Sequence, residues 1–385
     1  MKVLILGGDG YIGWPLSMYL SEKGHEVHIV DNFLKRYIEA QQGVECINSP
    51  SSLVKRIKTW NEVSGKKINF TVADISENPK LLYRILEDFQ PDSIVHLAEQ
   101  PSAPYSMLGR SQAINTQRNN VLGTLNLIYA IQAHCPEVHL VKLGTMGEYG
   151  QPNIDIEEGW IHIEHKGRSD TLLFPKSPGS FYHASKVHDS TNLEFACRTW
   201  GHRVTDLNQG VVYGTQTGQS KMHPNLAISF HYDEIFGTVI NRFITEATLG
   251  HSLTVYGNGS QTRAYIYLED VLRCVEIAIE KPADKYQFRV FNQFTEQLSI
   301  NQLADKVALA GKSLDYRVTI DHIENPRVEK ENHYFNAVST HLPNLGLNPT
   351  FLTNDLILEM LKYLSDFKDF IDKSKFMPGV KWKNH

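Results

Sequence analysis

An α/β fold, with a doubly wound parallel sheet followed by a smaller C-terminal α/β unit, is predicted by three features of the sequence. The chain opens on a continuous apolar run, Lys2-Val-Leu-Ile-Leu6, which suits a strand buried on both faces of a parallel sheet. Similar short runs recur from Val27 to Val30, Ile68 to Val72, Ser93 to Leu97, His139 to Leu143 and Arg203 to Leu207, with room for a crossover helix between most of them. Beyond Gly214 the alternation turns irregular, with Gly and Pro breaks, which marks a second unit. On this reading residues 1–214 form the first domain, with insertions at 33–66 and 151–180, and residues 215–385 form mainly the second.

Composition narrows the class. With 41% apolar and 21% charged residues, a chain of 385 residues can bury a full core as a globular, soluble protein. A net charge of -5 gives no reason to expect nucleic acid. No apolar run approaches the ~20 residues of a membrane helix, and the opening apolar run is too short for a signal-peptide core. Four cysteines, Cys46, Cys135, Cys197 and Cys274, lie far apart, so neither a disulfide framework nor a metal site is suggested and a cytoplasmic location is expected.

The first strand leads into Gly7-Gly8-Asp9-Gly10-Tyr11-Ile12-Gly13. Glycines at 7, 10 and 13 allow a tight turn, close backbone approach to a pyrophosphate and close helix packing, and the next helix N-terminus attracts the phosphates. A helix-like stretch runs to Lys23, and the second strand ends on Asp31, at the spacing of a ribose-binding acid. This is the pattern of a Rossmann-type dinucleotide site. Asp31 repels a 2′-phosphate, which favours NAD over NADP. Arg36 could stack on the adenine or, like Lys35, serve a 2′-phosphate; a solvated basic turn is the alternative.

The connection 33–66 is longer than a minimal unit needs and includes a helix around Ser51 to Val63. After the third strand, Asp74-Ile75 could reach the adenine amino group, or Asp74 could cap the following helix. Leu97 to Gln100 lie at the carboxyl end of the fourth strand, where open α/β sheets bind ligands. Asn119-Asn120 begin a long helix through Ala133, and their amides could bond the cofactor diphosphate or cap a turn.

The fifth strand delivers Gly144-Thr145-Met146-Gly147-Glu148-Tyr149-Gly150. Farther on stands Tyr182-His183-Ala184-Ser185-Lys186, whose ends share a helix face. A phenol titrates near ~10 unless a cation favours the phenolate, and Lys186 could be that cation. Tyr182 could then take a proton from a substrate alcohol, with the hydroxyl of Thr145 helping to hold the same oxygen. The insertion 151–180, acidic at Asp155-Ile-Glu157-Glu158, reads as a surface excursion or a lid. In the second unit helices are expected from Phe236 to Leu249, Leu298 to Ala310 and Leu356 to Phe370. Arg263 and Arg327 there could hold phosphate, as guanidinium groups suit.

The glycine loop, Asp31, Thr145 and the Tyr182/Lys186 pair, in that order, resemble the extended short-chain dehydrogenase/reductase family acting on nucleotide sugars. The likeness extends to Ser-Ala-Pro-Tyr-Ser106, Asn-Ile-Asp-Ile-Glu-Glu-Gly159, Asp-Leu-Asn-Gln-Gly-Val-Val-Tyr-Gly214 and Phe-Asn-Gln-Phe-Thr-Glu-Gln297, shared with a branch that joins sulfite to UDP-glucose. The resemblance implies Thr145, Tyr182 and Lys186 as the catalytic set. For NAD it implies Gly7, Gly10, Tyr11, Ile12, Gly13, Asp31, Asn32, Arg36, Asp74, Ile75, Leu97, Glu99, Asn119, Asn120, Gln209 and Val212, along with Tyr182 and Lys186. For the UDP-sugar it implies Thr145, Met146, Glu148, His183, Gln209, Thr238, Val255, Tyr256, Gln261, Arg263 and Arg327. It also implies a homodimer pairing the helices around Asn120 to Ala133 and Tyr182 to Thr199.

Two departures stand out. Plastid members carry an arginine where this chain has Pro101, so a cation near cofactor or sulfite is replaced or absent. Related 4,6-dehydratases carry an Asp-Glu pair where this chain has Met146-Gly147, and losing two carboxylates leaves a neutral, roomier pocket for an anionic nucleophile. The base for the sugar C5 proton stays open among His183, Glu148 and Tyr182. The competing readings are a UDP-sugar 4-epimerase or 4,6-dehydratase, and a non-catalytic NAD-sensing protein.

Overall fold

The computed structural model describes all residues except 331, 381 and 383–385. Its strands are β1 (Lys2–Leu6), β2 (Glu26–Asp31), β3 (Ile68–Val72), β4 (Ser93–His96), β5 (His139–Thr145), β6 (Trp160–His165), β7 (Arg168–Leu173), β8 (Arg203–Gln209), β9 (Val211–Tyr213), β10 (Leu253–Tyr256), β11 (Thr262–Tyr267), β12 (Phe288–Gln293), β13 (Glu296–Ser299) and β14 (Ile320–Ile323). Seven of them form one parallel sheet in the order β12-β8-β5-β4-β1-β2-β3. Because strand side chains alternate, β1 sends Val3 and Ile5 into one apolar layer and Leu4 and Leu6 into the other. Helices cover both faces, so the run had to be apolar throughout.

The strand order reverses between β1 and β4, and a crevice opens there at the carboxyl ends of the strands. Gly7 turns the chain at that point with φ +88°, and a Cβ on it would stand 2.6 Å from the Leu97 carbonyl carbon. A Cβ at Gly13 would meet the Gly7 carbonyl oxygen at 2.1 Å, so the helix Gly13–Glu22 starts hard against the loop only because both are glycine.

Three expectations need correction. The long helix does not begin at Asn119-Asn120: it starts at Arg110, passes through a π-turn at Arg118–Leu122 and continues as Gly123–His134. The connection 33–66 holds two helices, Leu34–Gln42 and Leu53–Ser64, the first entered through Phe33 in the left-handed region, which apolar periodicity does not signal. The chain also does not leave the sheet for good at 214. Helix Leu268–Glu280 packs on the first domain, and β12 pairs with β8 at the sheet edge, register Phe288 to Val204. The smaller unit is built from β10/β14, β13-β11-β9 and helices Val239–Thr248, Ile300–Lys312 and Asn354–Ser365 around their own core.

The insertion 151–180 is a β6/β7 hairpin with an exposed outer face. In its acidic entry Asp155 and Glu157 are exposed, but Glu158 turns inward. Glu158 is buried and accepts hydrogen bonds from the backbone N–H groups of Asn292, Thr340 and His341. The Asn-Gln-Phe-Thr-Glu-Gln stretch works alongside it: Asn292 donates to Val338 O and accepts from Tyr149 Oη at 2.9 Å, and Gln297 donates to Ala337 O.

Candidate active site

A cleft of ≈ 830 Å³ runs from the glycine loop across the carboxyl ends of β1, β4 and β5 to the smaller unit. Of the sequence-derived candidates it is lined by Gly7, Gly10, Tyr11, Ile12, Gly13, Asp31, Asn32, Ile75, Leu97, Glu99, Asn119, Thr145, Met146, Tyr182, His183, Lys186, Gln209, Val212, Thr238, Arg263 and Arg327. Seven others stand outside its lining: Arg36, Asp74, Asn120, Glu148, Val255, Tyr256 and Gln261.

Each of the seven has a physical reason. Arg36 is drawn to Asp9, bonding its carboxylate at 2.5 Å, and also donates to Ser51 O. Asp9 is shared with the buried Arg56, a partnership invisible in the local sequence. Asp74 accepts from the N–H groups of Ser76 and Glu77 and from Asn32 Nδ2, so it closes a turn, while Asn78 caps the next helix. Asn120 is buried; it accepts from Gln100 N at 2.8 Å and donates to Ser185 Oγ at 2.9 Å, tying the β4 loop to helix Phe181–Trp200. Val255 is core, Tyr256 lies under the Arg242 guanidinium at 4.2 Å, and Gln261 donates to Tyr256 O.

Glu148 is enclosed by cations. Lys142 Nζ stands 3.2 Å from it and 3.2 Å from Asp206, and Lys176 pairs with its other oxygen. Burial pushes the Glu148 carboxyl up, but the two lysines outweigh it and hold the group down at about 2. A carboxylate that acidic, facing away from the cleft, is no base for carbon chemistry at neutral pH.

Helix Phe181–Trp200 presents the central pair. Its N-terminus is fixed by Ser180, which accepts from His183 N, and by Ser106 Oγ, which accepts from Tyr182 N at 3.0 Å. Lys186 Nζ lies 5.9 Å from the centre of the Tyr182 ring, donates to Leu143 O at 2.5 Å and pairs with Glu99 at 2.8 Å. Lys186 does favour the phenolate, as expected, but it is outweighed. Burial raises the Tyr182 pKa, Lys186 lowers it, Glu99 raises it again, and the net direction is upward. Glu99 neutralises the lysine, so a further positive charge is needed to favour the phenolate.

This makes Glu99 testable. Glu99→Gln removes the counter-charge while keeping shape, so Tyr182 should deprotonate more readily and the acid limb of the pH–rate profile that depends on it should move to lower pH. An unmoved or alkaline-shifted limb in single-turnover rates would contradict the tuning role.

Thr145 ends β5 and its Oγ1 accepts from Gly147 N at 3.1 Å, leaving its proton to donate into the cleft. The pocket beside it is neutral as expected, but not roomier. A Cβ on Gly147 would lie 2.3 Å from His183 Nε2, so the imidazole already fills the space over the glycine. Burial, then Arg327, push the His183 pKa down to about 4, which keeps the ring neutral at physiological pH, with Nδ1 2.9 Å from Ser180 Oγ. Met146 is buried among Tyr149, Phe174 and Phe294.

At the other end, Arg263 is paired with Glu329. Arg327 has no salt-bridge partner among the described residues; its guanidinium stands 5.4 Å from the Trp382 ring centre. Arg327→Ala is therefore expected to weaken binding of a phosphate-bearing ligand in the cleft by about 1.5–3 kcal/mol, the range for a lost charge-assisted bond. Unchanged affinity by calorimetry would leave Arg327 without a ligand-binding role.

The cleft suits a dinucleotide. Asp31 accepts from Asp9 N at 2.8 Å and Phe33 N at 2.7 Å, which fixes its carboxylate at the β2 end with lone pairs left for ribose hydroxyls. Residues 3–292 match the NAD dependent epimerase/dehydratase family, and the chain belongs to that family. Over 99% of its length it is 50% identical to the UDP-sulfoquinovose synthase, chloroplastic, of Spinacia oleracea, covering 79% of that protein. Over 100% of its length it is 40% identical to the UDP-sulfoquinovose synthase of Sulfolobus acidocaldarius, covering 98% of it. The solved UDP-glucose 4-epimerase from Bifidobacterium longum in complex with NAD+ and UDP superposes with a TM-score of 0.69 at 18% identity, covering 96% of this chain and all of that one, a likeness of fold alone.

Proposed function

We propose that the chain converts UDP-glucose and sulfite to UDP-sulfoquinovose and water. The observation that carries this is near-full-length identity, at 50% and 40%, to two proteins of that activity from a plant and an archaeon. The glycine loop and Asp31 would hold NAD, which would supply the hydride acceptor for C4 of the glucose and the donor for its re-reduction.

The chain's own residues supply the rest. Tyr182 takes the C4 hydroxyl proton, Thr145 holds the oxygen, and Lys186 steadies the phenolate. With C4 a ketone, the C5 proton becomes acidic. His183, which lines the cleft beside Gly147, is the base we assign to it in preference to the buried Glu148, which stands outside the lining. The C6 hydroxyl leaves as water, carrying the proton that His183 took from C5, and an unsaturated ketone remains; sulfite then adds at C6 beside Met146, where no carboxylate repels it, and C5 regains a proton before C4 is reduced.

Purified protein given UDP-glucose and radiolabelled sulfite should place label in a nucleotide sugar. Label that stays in free sulfite while UDP-glucose is consumed would favour the dehydratase or epimerase reading.

A homodimer and a cytoplasmic location belong to the same proposal. Ile114, Leu122, Tyr129, Phe181 and Phe195 are exposed apolar residues on or beside the two helices expected to pair. Light scattering at micromolar concentration should give twice the chain mass, and a monomer would reject the pairing. All four cysteines are free and buried, as a reducing compartment allows. No helix among the described residues is long and apolar enough to cross a membrane.

A further inference from the structure

The sugar chemistry leaves one cluster unused. Glu39, from helix Leu34–Gln42, Cys46, just beyond it, and His231, from the segment before helix Val239–Thr248, are all buried and bring an oxygen, a sulfur and a nitrogen within 4.8 Å of one another. Cys46 Sγ lies 3.0 Å from His231 Nε2, which lies 2.9 Å from Glu39 Oε1. Across the ring, His231 Nδ1 is 3.1 Å from Asp233 Oδ2. A histidine backed by a carboxylate in this way has its other nitrogen aimed as a ligand, the arrangement that recurs behind metal-bound imidazoles.

A cation already sits at the centre of the cluster: the Lys35 ammonium donates to Glu39 Oε1 and stands 2.6 Å from His231 Nε2, which the Cys46 thiol also faces at 3.0 Å. A divalent ion between Nε2, Sγ and Oε1, with the thiol ionised, would take the place of that ammonium and answer all three atoms at once. Thiolate, imidazole and carboxylate are the donor set of zinc, whose tetrahedral bond lengths place ligand atoms about 3.3–3.6 Å apart. The separations here, 2.9, 3.0 and 3.8 Å, need adjustments of only about half an ångström.

The geometry points to a site for a zinc-type divalent cation formed by Glu39, Cys46 and His231 and oriented by Asp233, with Lys35 as the competing cation. Lys35 is on a flexible stem with its side chain 22% exposed, so it can swing to solvent as the metal enters. His231 and Lys35 line the cleft, which leaves a fourth position facing it. Such an ion would clip the insertion 33–66 to the segment around 229–238, and both walls of that end of the cleft would be fixed together.

The test uses untagged, NAD-loaded protein dialysed against a chelator and titrated with Co²⁺, then Zn²⁺. One equivalent of Co²⁺ should produce a thiolate-to-cobalt charge-transfer band that Zn²⁺ abolishes. Cys46→Ser should lose the band and bind Zn²⁺ at least tenfold more weakly, whereas Lys35→Ala should bind it more tightly because the competitor is gone. The proposal is overturned if wild type takes up no Co²⁺ or Zn²⁺, if the band survives Cys46→Ser, or if Lys35→Ala weakens binding.

Discussion

Tyr182→Phe is expected to slow reduction of the bound nicotinamide by UDP-glucose by about 10²–10⁴-fold, the usual worth of a positioned general base, with UDP-glucose affinity unchanged. The substitution removes one oxygen. The helix start is untouched, because Ser180 and Ser106 grip backbone N–H groups and not the phenol. Thr145 keeps its place at the end of β5, so the sugar can still bind in register. Stopped-flow absorbance of the reduced nicotinamide reports the step directly. A variant that reduces its cofactor at a comparable rate would take the proton-accepting role from Tyr182.

Lys142→Met should be the most damaging single change to stability, by about 3–5 kcal/mol, as expected when one partner of a buried ion pair is removed. Lys142 is fully buried and its ammonium donates to Glu148, Asp206, Ser190 Oγ and Lys186 O. Burial works against its charge, but Asp206 and Glu148 outweigh that and hold the ammonium protonated. With methionine in its place, Lys176 still answers Glu148, but Asp206 keeps only Ser190 as a donor. Urea unfolding would show the loss. A change below about 1 kcal/mol, the scale of an exposed pair, would mean that water or protonation already relieves the cluster.

What the sequence disclosed and what it hid divide by the range of the interaction. The glycine loop, Asp31 and the Tyr182/Lys186 spacing follow from backbone sterics and helix geometry within a few residues, and they appear where the pattern places them. Thr145 follows from its position at a strand end. Glu99 meets Lys186 across 87 positions of chain, and together with burial of the phenol, the larger cause, it turns the Tyr182 shift upward. Arg36 looked available because Asp9 and Arg56 lie far from it in sequence yet share its site. Glu148 stands two residues from Met146 but turns inward to Lys142 and Lys176. The role of Gly147 emerged only from His183 packed over it, since a missing side chain says nothing about what fills its space. The return of β12 to the large sheet is a pairing between segments 84 residues apart, and it blurs a domain boundary that composition placed at 214.

The cycle of oxidation, elimination, addition and re-reduction within one site is tested most directly by turnover of UDP-glucose deuterated at C4 in the presence of sulfite, followed by mass spectrometry of the nucleotide sugar. The expected product has lost the C6 hydroxyl, gained a sulfonate at C6, and kept the deuterium at C4, because the hydride leaves and returns within one bound complex. A product without sulfur, or a sulfonated product with hydrogen at C4, would contradict it.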